Sequence, residues 1–146
     1  MTTTPAGSMT REQLEQFLAE PRNIMVAAIR RDGRPQVTPN WFYWDGTRFY
    51  ISTTKTRQKY PNLKRDPRVQ LVLDEPTGFR TVLIDGRAEI WEDTERGLPY
   101  FKRITEKHTD RTPDEVSLRE RLEREQRVLV VITPDQPPEQ WTRWMR

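Results

Sequence analysis

The chain has 146 residues, 34% of them hydrophobic and 32% charged, with a formal net charge of +3 at pH 7. That length supports one domain with a core of its own, and the modest apolar content leaves no material for a second core. There is no Cys and one His, and no apolar run long enough to cross a bilayer; this excludes disulfides, thiolate metal sites, a cysteine nucleophile and a helical membrane span.

Residues 1–9 show neither the basic nor the apolar region of a signal peptide, and are expected to be a disordered lead-in to a single domain over residues 10–146. The lack of cysteine fits a reducing cytoplasm. Thr10-Arg-Glu-Gln13 matches the capping-box pattern, with Leu14, Phe17 and Leu18 forming one apolar stripe and Pro21 just past the helix end. Residues 24–29 are a short, β-branched apolar run, read as a strand, and Asp32-Gly33 is a hairpin signal. Residues 36–44 follow as a second strand, with Val37, Trp41 and Tyr43 on one face and Thr38, Asn40, Phe42 and Trp44 on the other. Pro39 cannot donate to a ladder, which implies a bulge or an edge there. Asp45-Gly46 turns the chain into a third strand over residues 48–52, so the first three strands read as an antiparallel meander.

Residues 69–73 and 80–84 supply two more strands, and 86–91 continues or re-pairs the second of them. Residues 93–108 can be helical with Leu98, Phe101 and Ile104 inward. Thr112-Pro-Asp-Glu115 reads as another capping box, opening a charged helix whose apolar contacts are Val116, Leu118 and Leu122. Residues 127–132 are apolar throughout and read as a buried strand, and the tail beyond carries Trp141 and Trp144. Two tryptophans there imply packing against the domain or a second subunit. Six to seven antiparallel strands with two to four short helices make a mainly β (α+β) fold, and closure into a barrel removes exposed edges.

The most informative stretch lies between the third and fourth strands. Ser52, Thr53 and Thr54 end a strand, Arg57 and Lys59 follow two residues apart, and Pro61 suits the start of a short helix. Residues 55–68 hold six Lys or Arg against one acid, Asp66. In an extended segment Arg57 and Lys59 point the same way, so both cations reach one phosphate. The same composition also describes a solvated basic face. Elsewhere, His108 sits on a polar helical turn and reads as solvated, and Asp85 with Glu89 reads as a surface pair. There is no HExxH, GxSxG, GxxxxGK[ST] or GxGxxG pattern, so metalloprotease, serine hydrolase, P-loop and dinucleotide-fold chemistry lack their motifs, and no metal site is expected. An anion grip beside aromatic strands leaves the hard chemistry to a bound cofactor such as a flavin or a related coenzyme. The acids are interspersed with the bases, so a small anion fits the focused basic stretch better than a nucleic acid does.

Gly33-Arg-Pro-Gln-Val-Thr-Pro-Asn-Trp-Phe-Tyr-Trp-Asp-Gly46, Phe49-Tyr-Ile-Ser-Thr-Thr54 and Arg57-x-Lys59-x-x-Asn-Leu-Lys-Arg-Asp-Pro-Arg-Val69 together resemble the pyridoxamine 5'-phosphate oxidase-like split-barrel superfamily. Within it they are most similar to the branch of deazaflavin (coenzyme F-420)-dependent oxidoreductases. The likeness extends to Gly86-Arg-Ala-Glu-Ile90 and to the strand from Arg127 to Pro134. It implies a split β-barrel, a cytoplasmic homodimer with cofactor sites between subunits, and hydride transfer to an unsaturated or conjugated organic substrate. By the same resemblance Arg57 and Lys59 hold the cofactor phosphate with Ser52, Thr53 and Thr54 nearby. Thr38, Pro39 and Asn40 would line the ring slot, and Phe79 would reach the ring from the partner. Trp41, Phe42 and Trp44 fit barrel core and dimer interface before substrate contact. FMN is the alternative cofactor, and a non-catalytic carrier of the cofactor or of a tetrapyrrole is the alternative role. Pro61 and Asn40 depart from the family pattern, and the polar Asn40 implies a more polar ring pocket.

Overall fold

The computed structural model describes residues 7–146. The expected disorder of the first nine residues lies outside it for residues 1–6, whereas Met9 is fully buried and donates its N–H to the Arg143 carbonyl at 2.8 Å. The first helix, α1 (Arg11–Ala19), is closed by the expected capping box: Thr10 Oγ1 accepts from Gln13 N at 3.1 Å, and Gln13 Oε1 accepts from Thr10 N at 2.8 Å. Its Leu14, Phe17 and Leu18 are all buried.

The strands are β1 (Ile24–Ile29), β2 (Pro35–Asn40), β3 (Tyr43–Trp44), β4 (Phe49–Thr54), β5 (Arg68–Asp74), β6 (Arg80–Trp91), β7 (Arg127–Pro134) and β8 (Thr142–Met145). They form one antiparallel sheet in the order β2-β1-β5-β6-β7-β4-β3, with β8 paired to β6. Helices α2 (Lys59–Arg65), α3 (Thr94–His108) and α4 (Glu115–Arg124) complete the fold. Among the described residues eight strands replace the expected six to seven, for two reasons. The strand foreseen over residues 36–44 breaks at Trp41 and Phe42, and the tail supplies β8. Pro39 stands on β2, an end strand of the sheet, which settles the choice between bulge and edge.

That break fixes the shape of the molecule. β2 and β3 lie at opposite ends of the strand order, yet Asn40 and Tyr43 are joined by only two residues. So short a link spans about 10 Å at most. The sheet must therefore roll up until its two ends nearly meet, with Trp41 and Phe42 crossing the seam. The burial alternation foreseen for this stretch survives the break, since Phe42 and Trp44 are buried while Trp41 is half exposed.

β6 is long enough to change partners along one edge, pairing with β8 over Arg80–Leu83 and with β7 over Gly86–Trp91. Gly86 marks the change: a Cβ there would stand 2.9 Å from the Thr133 carbonyl oxygen. Two apolar clusters result. The barrel interior holds Phe17, Ile24, Val26, Phe42, Phe49, Ile51, Leu71, Leu73, Val130 and Ile132. The outer cluster packs Leu98, Phe101, Ile104, Leu118 and Leu122 of the helices on Tyr50, Trp91, Leu129 and Val131. β7 is thus covered on both faces, which explains its unbroken apolar run.

Two helix starts differ from expectation. α2 begins at Lys59, placing Pro61 third, still within the first turn where a missing N–H costs nothing. α4 is capped by Asp114, whose side chain accepts from Ser117 N at 3.0 Å, so Thr112 lies outside the helix and Val116 faces solvent.

Candidate functional site

A cleft of about 700 Å³ opens beside the barrel seam. The end of β2 and the seam give it Pro39, Asn40 and Trp41; β4 and β7 give it Ser52 and Arg127, and the β4–α2 turn gives it Arg57. Phe101, Ile104 and Thr105 of α3, the α3–α4 connection and α4 form the facing wall. The β4–β7 register sets Thr54 opposite Arg127 and Ser52 opposite Leu129, which brings Arg127 beside Ser52 although 75 residues separate them in sequence. Arg127 Nη1 donates to Ser52 Oγ at 3.1 Å, and its Nε donates to Glu125 Oε2 at 2.6 Å. This guanidinium is held in place before any ligand arrives.

Arg57 and Lys59 do not point the same way, because the segment between them is not extended. The chain turns after Thr54, with Arg57 N donating to Thr54 O at 3.2 Å and Tyr60 N to Arg57 O at 3.1 Å, and α2 begins at Lys59. Arg57 is exposed, lines the cleft, and makes no side-chain ion pair or hydrogen bond among the described residues. Lys59 is turned inward to 5% exposure and gives its ammonium to Asn40 Oδ1. Burial, with the nearby Arg57 charge, pushes the Lys59 ammonium down to about 8.

Asn40 is in turn engaged. Its Nδ2 donates to Thr38 O at 2.9 Å and to Thr38 Oγ1 at 3.3 Å while its oxygen accepts from Lys59. Asn40 lines the cleft, but its amide N–H groups and one lone pair of its oxygen serve the protein, so one acceptor site is what it can offer a ring. The three hydroxyls do not converge: strand alternation turns Thr53 to the face opposite Ser52 and Thr54, and Thr54 is taken up by Thr56. Ser52 lines the cleft; Thr54 Oγ1 lies 2.8 Å from Thr56 Oγ1; Thr53 is fully buried, with an Oγ1 that has no partner among the described residues. Phe79 sits apart, half exposed before β6, where it lines a separate hollow with Gly7, Thr81 and Trp144.

An aromatic pair and three further cations of the site leave no local signal in the sequence. Trp41 stacks on His108 with ring centroids 5.1 Å apart and planes 8° from parallel. His108 Nε2 lies 3.1 Å from both the N and the O of Phe42, so this half-buried ring is a clamp on the seam, not a fully solvated side chain. Burial holds the imidazole below its ordinary pKa, and the charge of Lys107 adds to this. Arg111, Arg121 and Arg127 line the cleft as well. Arg127 opens an apolar run visible in the sequence, but only the register reveals its neighbour. Asp85 and Glu89 separate as surface groups, accepting from Gln70 Nε2 at 3.0 Å and Trp91 Nε1 at 2.6 Å respectively.

The chemistry on offer is binding. Guanidinium groups suit a phosphate or carboxylate, and the exposed face of Trp41 suits a flat ring. Among the described residues no group of three His, Cys, Asp or Glu side chains is placed to hold a metal ion.

Comparison with known proteins identifies the family and the fold. The family described as pyridoxamine 5'-phosphate oxidase matches residues 10–137. A conserved hypothetical protein of Mycobacterium tuberculosis is similar over 99% of this chain and 90% of its own, at 28% identity and a TM-score of 0.81. An F-420 reductase is similar over 86% of this chain and 96% of its own, at 27% identity and a TM-score of 0.67. A heme storage protein of Vibrio cholerae shares the fold at 17% identity and a TM-score of 0.68, covering 86% of this chain and 90% of its own.

Proposed function

This chain belongs to the pyridoxamine 5'-phosphate oxidase family, and on that premise we propose that it is a coenzyme F-420-dependent oxidoreductase of the cytoplasm, delivering a hydride to an unsaturated or conjugated organic substrate. One observation carries the reading: the unpaired Arg57, the pre-oriented Arg127 and the Trp41 plate share one cleft. The likeness to an F-420 reductase at 27% identity supports the deazaflavin over FMN.

The residues present fit such a group. Arg57, free of internal partners, offers a fork for the phosphate, while Arg127 adds a second fixed charge beside Ser52. Trp41, backed by His108, offers a face for the ring. Lys59 adds charge from behind Asn40 without reaching the cleft surface. The reduced deazaflavin, when bound, supplies the hydride, and the protein binds, orients and excludes water. Phe101, Ile104 and Leu118 on the helical wall give the substrate a dry side. Thr105 and Thr109 donate their hydroxyls to Phe101 O at 3.1 Å and Thr105 O at 2.7 Å, so neither is free as a proton donor while those bonds hold. In the proposed homodimer the exposed ring of Phe79 reaches toward the cofactor of the partner subunit.

A paired fluorescence titration of the purified protein with oxidised F-420 and with FMN tests the proposal. Micromolar or tighter F-420 binding, weaker FMN binding and loss of F-420 affinity in Arg57→Ala are the expected results. A preference for FMN would overturn the cofactor, and binding of neither would return Arg57 to a solvated surface role.

A further inference from the structure

The helical wall of the cleft carries cations that the cofactor reading leaves without a task. Arg111 stands in the α3–α4 connection and Arg121 on α4, and both line the cleft. Asp114, Ser117, Leu118 and Arg121 follow one another at helical spacing, so the face that seats Leu118 in the outer core also presents Arg121 to the cleft. Neither guanidinium makes an ion pair or a side-chain hydrogen bond among the described residues. Arg119 of the same helix, by contrast, is held by Glu95 and Glu115. The one carboxylate on this wall, Asp114, is committed to the α4 cap through Ser117 N.

Two arginines without a hydrogen-bonded partner, beside a cleft that already holds Arg57 and Arg127, lower the cost of bringing in an anion; Glu125, bonded to Arg127 and within reach of the Arg121 charge, offsets part of this. The apolar surface between them comes from Phe101, Ile104 and Leu118. Charge at the rim and apolar side chains along the wall describe a ligand with a flat, conjugated body and one anionic end. Building on the proposed function, we infer that Arg111 and Arg121 form a subsite for the carboxylate of the organic substrate, so that the acceptor is an unsaturated or aromatic acid. Arg57 and Arg127 remain with the cofactor phosphate.

The test compares naphthalene-2-carboxylate with its neutral isostere naphthalene-2-carboxamide, bound to the full chain without coenzyme and read by quenching of tryptophan fluorescence. The carboxylate should bind about tenfold tighter at low salt, the difference expected of one charge-assisted pair. The double variant Arg111→Gln/Arg121→Gln should lose that preference while keeping its affinity for the amide, and Arg57→Gln should retain the preference. Arg121→Lys, which keeps the charge, should restore part of the preference relative to Arg121→Gln. Equal affinity for the two probes would overturn the inference, as would a preference that survives the double variant. Loss of F-420 affinity in the double variant would assign these arginines to the coenzyme and overturn the substrate assignment. Because the probe titration contains no coenzyme, its failure and the failure of the deazaflavin reading are separate results.

Discussion

Lys59 gives its ammonium to the side-chain oxygen of Asn40, tying the first turn of α2 to the last residue of β2. Among the described residues no carboxylate shares this contact, so the charge is buried on hydrogen bonding alone. The ammonium carries its proton below about 8 and loses it above. The cleft therefore loses one nearby positive charge as pH rises through that value. Inorganic phosphate, titrated by competition with a fluorescent anion, should bind progressively more weakly above pH 8. Lys59→Met should remove this step and leave the weaker, pH-flat affinity of the remaining arginines. An unchanged step in the variant would place the titrating group elsewhere.

The Trp41–His108 stack should report its own protonation. Imidazolium quenches a stacked indole more strongly than neutral imidazole does. Since burial and Lys107 hold His108 below its ordinary pKa of 6.5, tryptophan emission should fall in acid with a midpoint below that value. His108→Gln should abolish the acid step while leaving the other tryptophans in place. A step that persists in the variant would show that Trp41 and His108 do not stack in solution.

The strands were legible because their signals are local: β-branched runs, Asp-Gly turns and the Thr10 capping box each act within a few residues. The cleft was legible only in outline. Arg57 and Trp41 are conspicuous in sequence, but their roles depend on how the chain turns after Thr54 and where it crosses the seam. The assumption of an extended segment failed at Arg57 and Lys59 because α2 begins two residues before Pro61, which sends one cation outward and the other in. Ser52, Thr53 and Thr54 looked like one donor cluster until alternation put Thr53 inside the barrel. Arg127 acquires meaning only from its register opposite Thr54, and His108 only from a contact with Phe42 across 66 residues. Such long-range pairings leave no periodic trace in one sequence.

Tail anchoring should depend on one tryptophan rather than two. Trp141 is 7% exposed, sits edge-on to Trp44 at 5.4 Å, and donates its indole N–H to Gln136 O at 2.8 Å. Trp141→Ala should cost about 3–5 kcal/mol, the range for a buried aromatic truncated to alanine, and lower the thermal midpoint by roughly 10 °C. Trp144 is 53% exposed on β8, so Trp144→Ala should cost less than about 1 kcal/mol. Thermal melts of the two variants at equal concentration measure both. The opposite ranking would mean that the tail is held through Trp144 against a partner.

The protein should grow more stable toward mildly alkaline pH. Lys107 Nζ donates to Leu18 O at 2.6 Å and lies 3.3 Å from the Phe42 ring centroid. Both contacts favour the ammonium, but burial opposes them more strongly, and with the nearby Arg22 charge it pushes the group down to about 7. In the unfolded chain the same lysine titrates near 10.5. Between these values the unfolded state binds the extra proton, so stability rises with pH across that window. Lys59 adds to the rise from about 8 upward. Tyr50 acts in the other direction. Burial and its hydrogen bond to Asp45 raise its pKa above the ordinary 10, so beyond that pH the unfolded chain sheds a proton the folded one keeps, and stability falls. Urea midpoints measured from pH 6 to 11 should therefore climb and peak near pH 10. Lys107→Met should flatten the climb between pH 7 and 8, where Lys59 has yet to contribute. A wild-type profile that is already flat there would mean that Lys107 keeps its proton through its contacts with Leu18 and Phe42.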